Sequence, residues 1–325
     1  MSTPGPEAIG IRRAQPADDP AVLRLLRASL GKEEDRHYEA FLHWKHQENP
    51  FGVSPAWVAT DGDRVVGYRT FLRWRFRQGE KLLRAVRAVD TATDPGYRGR
   101  GIFTSLTLQA IADLTLERQG FVFNTPNDQS RPGYLAMGWR TAGRVPVGVQ
   151  LAGPGSMGTM RAARVPALLW SEPTSAGMDA REALADRARA EALLQHAGES
   201  GVHTDRTPEY LAWRTAFAPL RYRLLQVSEH DPAQGGIIFR VRRRGAALEA
   251  AIIELLVPDL PSGARLVRRV LSATGADYAI GVRDKLSGGL VPLPRQGPLL
   301  TTRPLAGAAP ESSQWRFSLG DIELF

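Results

Sequence analysis

The residues best suited to chemistry in this 325-residue chain form one short turn, Tyr97-Arg98-Gly99-Arg100-Gly101-Ile102-Phe103. Glycine at 99 and 101 lets the backbone bend tightly and lets a ligand come close to its N–H groups. A helical pattern starts at Ile102, so its first amides lack intrahelical partners and its dipole presents a positive end. With Arg98 and Arg100 adding charge, a pyrophosphate is the natural occupant. Two commoner phosphate loops are excluded. A dinucleotide fingerprint needs a third glycine where Thr104 stands, and a P-loop needs Lys then Ser or Thr where Ile102-Phe103 stand. A plain glycine-rich strand–helix connection has the same residues and stays open at this point.

Composition removes other chemistries. The chain has no cysteine, which excludes disulfides, an acyl-cysteine intermediate and thiolate metal sites. Among the six histidines there is no His-x-x-x-His pair; His43 and His46 are three apart without a carboxylate partner evident from spacing. They read as surface or helix-packing residues, and no metal is expected. A net charge of +8 favours polyanions, a phosphorylated cofactor included. No nucleic-acid reader motif accompanies it, so nucleic acid is not an expected partner. Arg242-Arg243-Arg244 lies between two apolar runs and reads as a hairpin turn. No run approaches the roughly 18 apolar residues of a membrane span. Met1 to Glu7 lacks the stretches of a signal peptide. The expectation is a cytoplasmic protein with no membrane partner.

The elements that would position the turn follow an α/β order. Strands are expected at Ile9–Arg13, Ala56–Thr60, Arg64–Arg75, Leu82–Thr93 and Phe121–Asn124, with hairpin turns at Asp61-Gly62-Asp63 and Gln78-Gly79-Glu80. Helices are expected at Ala21–Leu30, Tyr38–Gln47 and Ile102–Gln119. A change of character follows Leu151, and Met178–His196 has the composition of one helix. This divides the chain into a domain over 1–150, a linker and helix over 151–200, and a domain over 201–325.

The last part repeats the first. Phe41-Leu42-His43-Trp44-Lys45 and Tyr210-Leu211-Ala212-Trp213-Arg214 share an aromatic-Leu-x-Trp-basic pattern. Each leads into strands, a hairpin, a helix (Gly263–Ala273 in the second copy) and a strand (Tyr278–Val282). The second copy has Leu260-Pro261-Ser262-Gly263-Ala264 in place of the glycine-rich turn.

At that turn the sequence resembles the GNAT superfamily of acyl-CoA N-acyltransferases. The family's pyrophosphate signature, Gln/Arg-x-x-Gly-x-Gly/Ala at a helix start, is matched by Arg98-Gly99-Arg100-Gly101-Ile102-Phe103 except at Phe103, where the family has a small residue. A second family pattern, Asn-x-x-Ala, an apolar residue, Tyr, three spacers and Gly-Phe, is matched by Asn127, Ser130, Gly133, Tyr134, Gly138 and Trp139. There the departure is Gly133. The resemblance covers residues 9 to 150 and implies a mixed central sheet flanked by helices, with a second, degenerate GNAT-like domain.

What the resemblance implies for the site is specific. Acetyl-CoA would be the acyl donor, held by the main chain of Thr91, Ala92 and Thr93 and by Arg98, Gly99, Arg100, Gly101, Ile102 and Phe103. Asn127 and Ser130 would contact it or cap the following helix. Tyr134 would protonate the departing thiolate, a role open to a phenol. Asp90, on the same strand, is the best-placed carboxylate to take the amine's proton. Asp94 and Asp128 read as turn and cap residues, and Glu33, Glu34 and Asp35 as helix-start acids or an amine pocket. No Ser-His-Asp arrangement is visible, so direct attack by a small-molecule primary amine in a ternary complex is expected. A longer acyl-CoA, a protein lysine acceptor, a non-catalytic acyl-CoA sensor and a homodimer are the alternatives.

Overall fold

The computed structural model describes residues 9–198, 200–283 and 288–323. Two compact units interleave along the chain. The first holds the residues up to Phe76, Leu82–Ala142 and Leu300–Glu311; the second holds Arg77–Lys81, Gly143–Leu299 and the residues from Ser312 on. By compactness the first unit's main stretch runs to Ala142, and a later segment, Leu300–Glu311, belongs to it as well.

In the first unit the chain runs β1 (Gly10–Arg13), α1 (Asp19–Leu30), α2 (Tyr38–Gln47), β2 (Ala56–Asp61), β3 (Arg64–Gln78), β4 (Lys81–Thr93), α3 (Ile102–Leu116), β5 (Phe121–Asn124), α4 (Arg131–Ala136) and β6 (Arg140–Arg144). The sheet order is β1-β2-β3-β4-β5, then the strand Leu299–Pro304, then β6. Strands β1, β2 and β3 pair antiparallel, whereas β4 and β5 are parallel. Their register, Ala85↔Phe121, Val86↔Val122 and Arg87↔Phe123, ends while β4 still continues to Thr93. The two strands thus part into a wedge, and the far edge of β5 pairs with the returning strand through Thr301↔Asn124.

The helix at the wedge is placed by its apolar spacing. Ile102, Leu106, Ala110 and Leu114 recur at one-turn intervals and bury against Trp57, Ala59, Val66, Phe71, Val86 and Val122. Close approach needs Gly67: a Cβ there would stand 2.5 Å from Ile102 Cγ2. Any side chain at 67 would push the first turn of α3 off the sheet.

The second unit is built on its own mixed sheet, in which Ala247–Leu256 pairs parallel with Tyr278–Val282 and antiparallel with Gly236–Arg244. The repeated segments Phe41–Lys45 and Tyr210–Arg214 both lie on helices, α2 and Pro208–Ala216, and both bury their basic residue. Two expectations are corrected. Met178–His196 is two helices, Ala180–Ala185 and Arg187–Leu194, because Asp186 accepts from the N–H groups of Ala188 and Arg189 and starts the second. The arginines 242 to 244 end a strand, and Gly245 (φ 57°) opens the turn. Arg242 and Arg244 reach back across the hairpin to Glu249, which is why they stay in the strand.

At the position of the glycine-rich turn, the second unit begins the helix Leu260–Thr274 with Asp259 as its cap, its carboxylate accepting from Ser262 N–H at 2.7 Å. A fixed carboxylate occupies the place where an anionic ligand would bind.

Candidate active site

The turn after β4 is pinned from below and open above. Asp94 accepts from Gly96 N–H (2.9 Å) and pairs with Arg64 (2.6 Å), and Tyr97 donates to Asp61 (2.6 Å). The Arg100 guanidinium stacks over the Tyr97 ring at 4.7 Å. Gly99 and Gly101 have φ of 77° and 75°, a conformation side chains resist, and a Cβ on either would meet nothing within 4 Å. Gly101 is the N-cap of α3, and Ser105 is the first residue whose N–H bonds back, to Gly101 O at 2.9 Å. The amides of Ile102, Phe103 and Thr104 have no earlier intrahelical carbonyl to bond. Arg98, Gly99, Arg100 and Gly101 are all exposed beside them. Unpaired amides with two arginines beside them are an arrangement that can hold phosphate oxygens.

The two departures from the family pattern explain one another. Phe103 stands where the family has a small residue, and Gly133 where it has an apolar one. In the structure a Cβ on Gly133 would lie 3.2 Å from Phe103 Cε1. The bulk has moved from α4 to α3, and the Phe103 ring meets Tyr134 edge-on at 5.5 Å. Tyr134 is buried between Phe103 and Trp139, and its hydroxyl accepts from Arg69 Nη2 at 2.7 Å. Accepting that bond leaves the phenolic proton available for donation elsewhere. Arg69 is itself buried, with its guanidinium over the rings of Phe71, Phe103 and Tyr134. Sequence reading missed Arg69; a basic residue in the middle of the long apolar strand β3 was the available signal.

Asp90 does not stand free. Lys45 Nζ lies 2.6 Å and His46 Nε2 2.9 Å from the same oxygen, Oδ2. His46 Nδ1 is 2.9 Å from Ser54 Oγ. Burial alone would raise the Asp90 carboxyl, but the Lys45 charge and the His46 bond outweigh it and hold it well below the carboxylate range. Burial lowers the His46 imidazole against the opposing pull of Asp90. Because an ionised carboxylate only accepts, Nε2 carries the histidine proton and Nδ1 accepts from Ser54. A Ser-His-Asp chain is therefore present, contrary to expectation. His46 is buried in it, while its neighbour in the motif, His43, is exposed beside Glu48.

The remaining expected residues divide. Thr91 Oγ1 donates to Tyr68 O at 3.1 Å and Ala92 is buried, so the β3 side of this stretch is already engaged. Asn127 Oδ1 accepts from both the N–H and the hydroxyl of Ser130 at 2.9 Å, a turn cap. Asp128 pairs with Arg131 at the surface. Glu33 and Glu34 are exposed, and Asp35 accepts from His37 N–H. Just past the end of β5, Thr125 Oγ1 is buried with no partner among the described residues. It is a polar atom at the mouth of the wedge that sequence did not single out. No group of three or more His, Asp or Glu suited to a metal occurs among the described residues. None of the described helices is long and apolar enough to cross a membrane.

Comparison with known proteins agrees with this geometry. Residues 10–142 match the acetyltransferase (GNAT) domain family. Among solved structures the chain is similar to a probable N-acyltransferase from Enterococcus faecalis (TM-score 0.65, 13% identity, covering 92% of this chain and 73% of that one). It is equally similar to a GCN5-related N-acetyltransferase from Anabaena variabilis (TM-score 0.65, 15% identity, 92% and 73%). It is also similar to Eis1 from Mycobacterium abscessus (TM-score 0.57, 14% identity, 92% and 74%). At these identities the likeness is one of fold. No curated protein matches the chain.

Proposed function

We propose, from the match of residues 10–142 to the acetyltransferase (GNAT) domain family, that the protein moves an acetyl group from acetyl-CoA to a primary amine of a small molecule. The observation that carries the reading is the open turn Arg98–Phe103 at the start of α3, beside a β4 that has parted from β5. Acyl-CoA supplies the activated thioester. The chain's own residues bind and orient it: the amides of the turn and Arg98 and Arg100 take the pyrophosphate, and the main chain of Thr91 to Thr93 lines the pantetheine arm. Tyr134 donates its phenolic proton to the leaving sulfur, and the proton released by the attacking nitrogen passes to solvent, from which the phenol is restored. With no cysteine in the chain, direct attack by the amine in a ternary complex is the simplest route. Holding the two reactants together then supplies most of the rate.

The second unit carries Asp259 where the first has its glycine-rich turn, which supports one acyl-CoA site per chain. The test is calorimetric titration with CoA, followed by turnover with acetyl-CoA and a panel of amines, read by thiol release. Arg98→Glu and Gly101→Glu should each weaken CoA binding by at least tenfold, whereas Asp259→Ala should not. Tyr134→Phe should lower kcat and leave CoA affinity near wild type. CoA binding without turnover on any amine would indicate a sensor, and absence of CoA binding would refute the reading.

A further inference from the structure

Asp90 has a further feature: its φ is 35°, inside the left-handed region, within strand β4. That conformation is strained for an L-residue and persists only where the surroundings enforce it. It sits between the end of the β4–β5 register at Arg87 and the stretch Thr91–Thr93. The kink therefore sets the course of the strand edge that faces the wedge.

The surroundings that enforce it come from α2. Lys45 and His46 are consecutive, both at least nine-tenths buried, and both grip Oδ2. The chain then folds back so that Ser54 N–H bonds to His46 O at 3.0 Å while Ser54 Oγ meets Nδ1. Backbone and side chain of Ser54 together fix the ring. Lys45 offsets the carboxylate's charge, and Asp90 has no uncompensated charge with which to draw a proton from an amine.

We propose that Lys45, His46 and Ser54 are positioning residues which, by anchoring Asp90, hold the kink in β4 that aims the main chain of Thr91–Thr93 at the acyl-bearing arm of the substrate. Asp90 is then an anchor and not the general base. The inference rests on the acyl-CoA reading above, and wild-type CoA binding is measured first: if the wild type binds no CoA, both fall, whereas the variants below test the positioning role alone.

Two pairs of variants decide it. Glycine takes φ of 35° without strain and alanine does not, so Asp90→Gly should bind CoA within about threefold of wild type and Asp90→Ala about tenfold more weakly. His46→Gln keeps an N–H for Asp90, and His46→Leu does not. Under positioning, His46→Gln retains most of kcat/KM, His46→Leu loses it mainly through KM for acetyl-CoA, and the acid limb of the kcat profile stays in place. If Asp90→Gly and His46→Gln instead lose kcat as fully as Asp90→Ala and His46→Leu, with CoA affinity unchanged and the acid limb abolished, the groups carry the proton and the proposal is overturned. Should Asp90→Ala fail to fold by circular dichroism, the His46 pair gives the same decision.

Discussion

Exchanging the bulk back between α3 and α4 is a direct test of how this domain departs from the family pattern it matches. The variants are Phe103→Ala, Gly133→Leu and the double substitution. In Phe103→Ala the half-buried ring is lost, and with it the edge-on contact to Tyr134 and the Arg69 guanidinium 5.6 Å from its centroid. Large-to-small losses at fully buried aromatics run to about 3–5 kcal/mol, so about 2–3 kcal/mol is expected at this partly exposed site. In Gly133→Leu the Cβ alone would stand 3.2 Å from Phe103 Cε1, before the rest of the side chain is added. Overpacking of this kind costs about 1–3 kcal/mol, offset by the roughly 1 kcal/mol by which leucine outranks glycine in a helix. In the double variant leucine enters the space the ring has left. The coupling should be favourable by about 1–2 kcal/mol, in the range found for residues in contact. Urea unfolding followed by tryptophan fluorescence gives the cycle, and Trp139, 5.0 Å from Tyr134, reports the local packing. Additivity within about 0.5 kcal/mol would refute the exchange, because two sites that do not share space have nothing to couple.

Two further outcomes are expected. Glu323 is fully buried among Arg214, Arg240 and Arg242, so Glu323→Gln should destabilise the second unit by about 3–5 kcal/mol, the cost of removing one partner from a buried ionic cluster; a thermal midpoint within a degree or two of wild type would contradict this. Stability should also fall on acidification. Burial would raise Glu323, but Arg240, Arg242 and Arg214 outweigh it and lower it from 4.5 to about 2, and Asp90 is lowered as well. Both groups stabilise fully above the unfolded pKa values near 4 and lose that contribution as pH drops through their folded values. Burial also lowers His46 and His203, so the unfolded chain takes up protons first as pH drops below about 6.5, and stability declines from there. Denaturation midpoints at pH 7, 5 and 3.5 should descend in that order, and Glu323→Gln should flatten the lowest step; a flat wild-type profile would refute the assignment.

Much of the first unit was legible because its signals are local. The bounds of Tyr38–Gln47 and Phe121–Asn124 follow from periodicity within one element, and the structure has them where the sequence places them. The turn at Arg98–Gly101 was legible for the same reason: glycine conformation and the unpaired amides of a helix start depend on a few adjacent residues. Even the second unit's lack of such a turn is written in Leu260-Pro261-Ser262-Gly263-Ala264.

What tertiary structure alone decided are the meetings of distant residues. His46 read as a surface or helix-packing residue and Lys45 only as part of a repeated pattern, and it is the packing of α2 that carries both to Asp90, more than forty positions along the chain. Phe103 and Gly133 each read as a defect in a pattern; side by side they are one exchange of volume. The strand Leu299–Pro304 returns to β5 after most of the second unit, a pairing that no periodicity encodes. Sequence constrains the backbone over a turn or two, where dihedral preference and hydrogen bonding are settled between neighbours. The environment of a side chain is set by whichever surfaces the folded elements bring against it. So the open glycine turn and the helix start behind it were written in the order of residues 97 to 103, while the clamp on Asp90 exists only once α2 lies against the sheet.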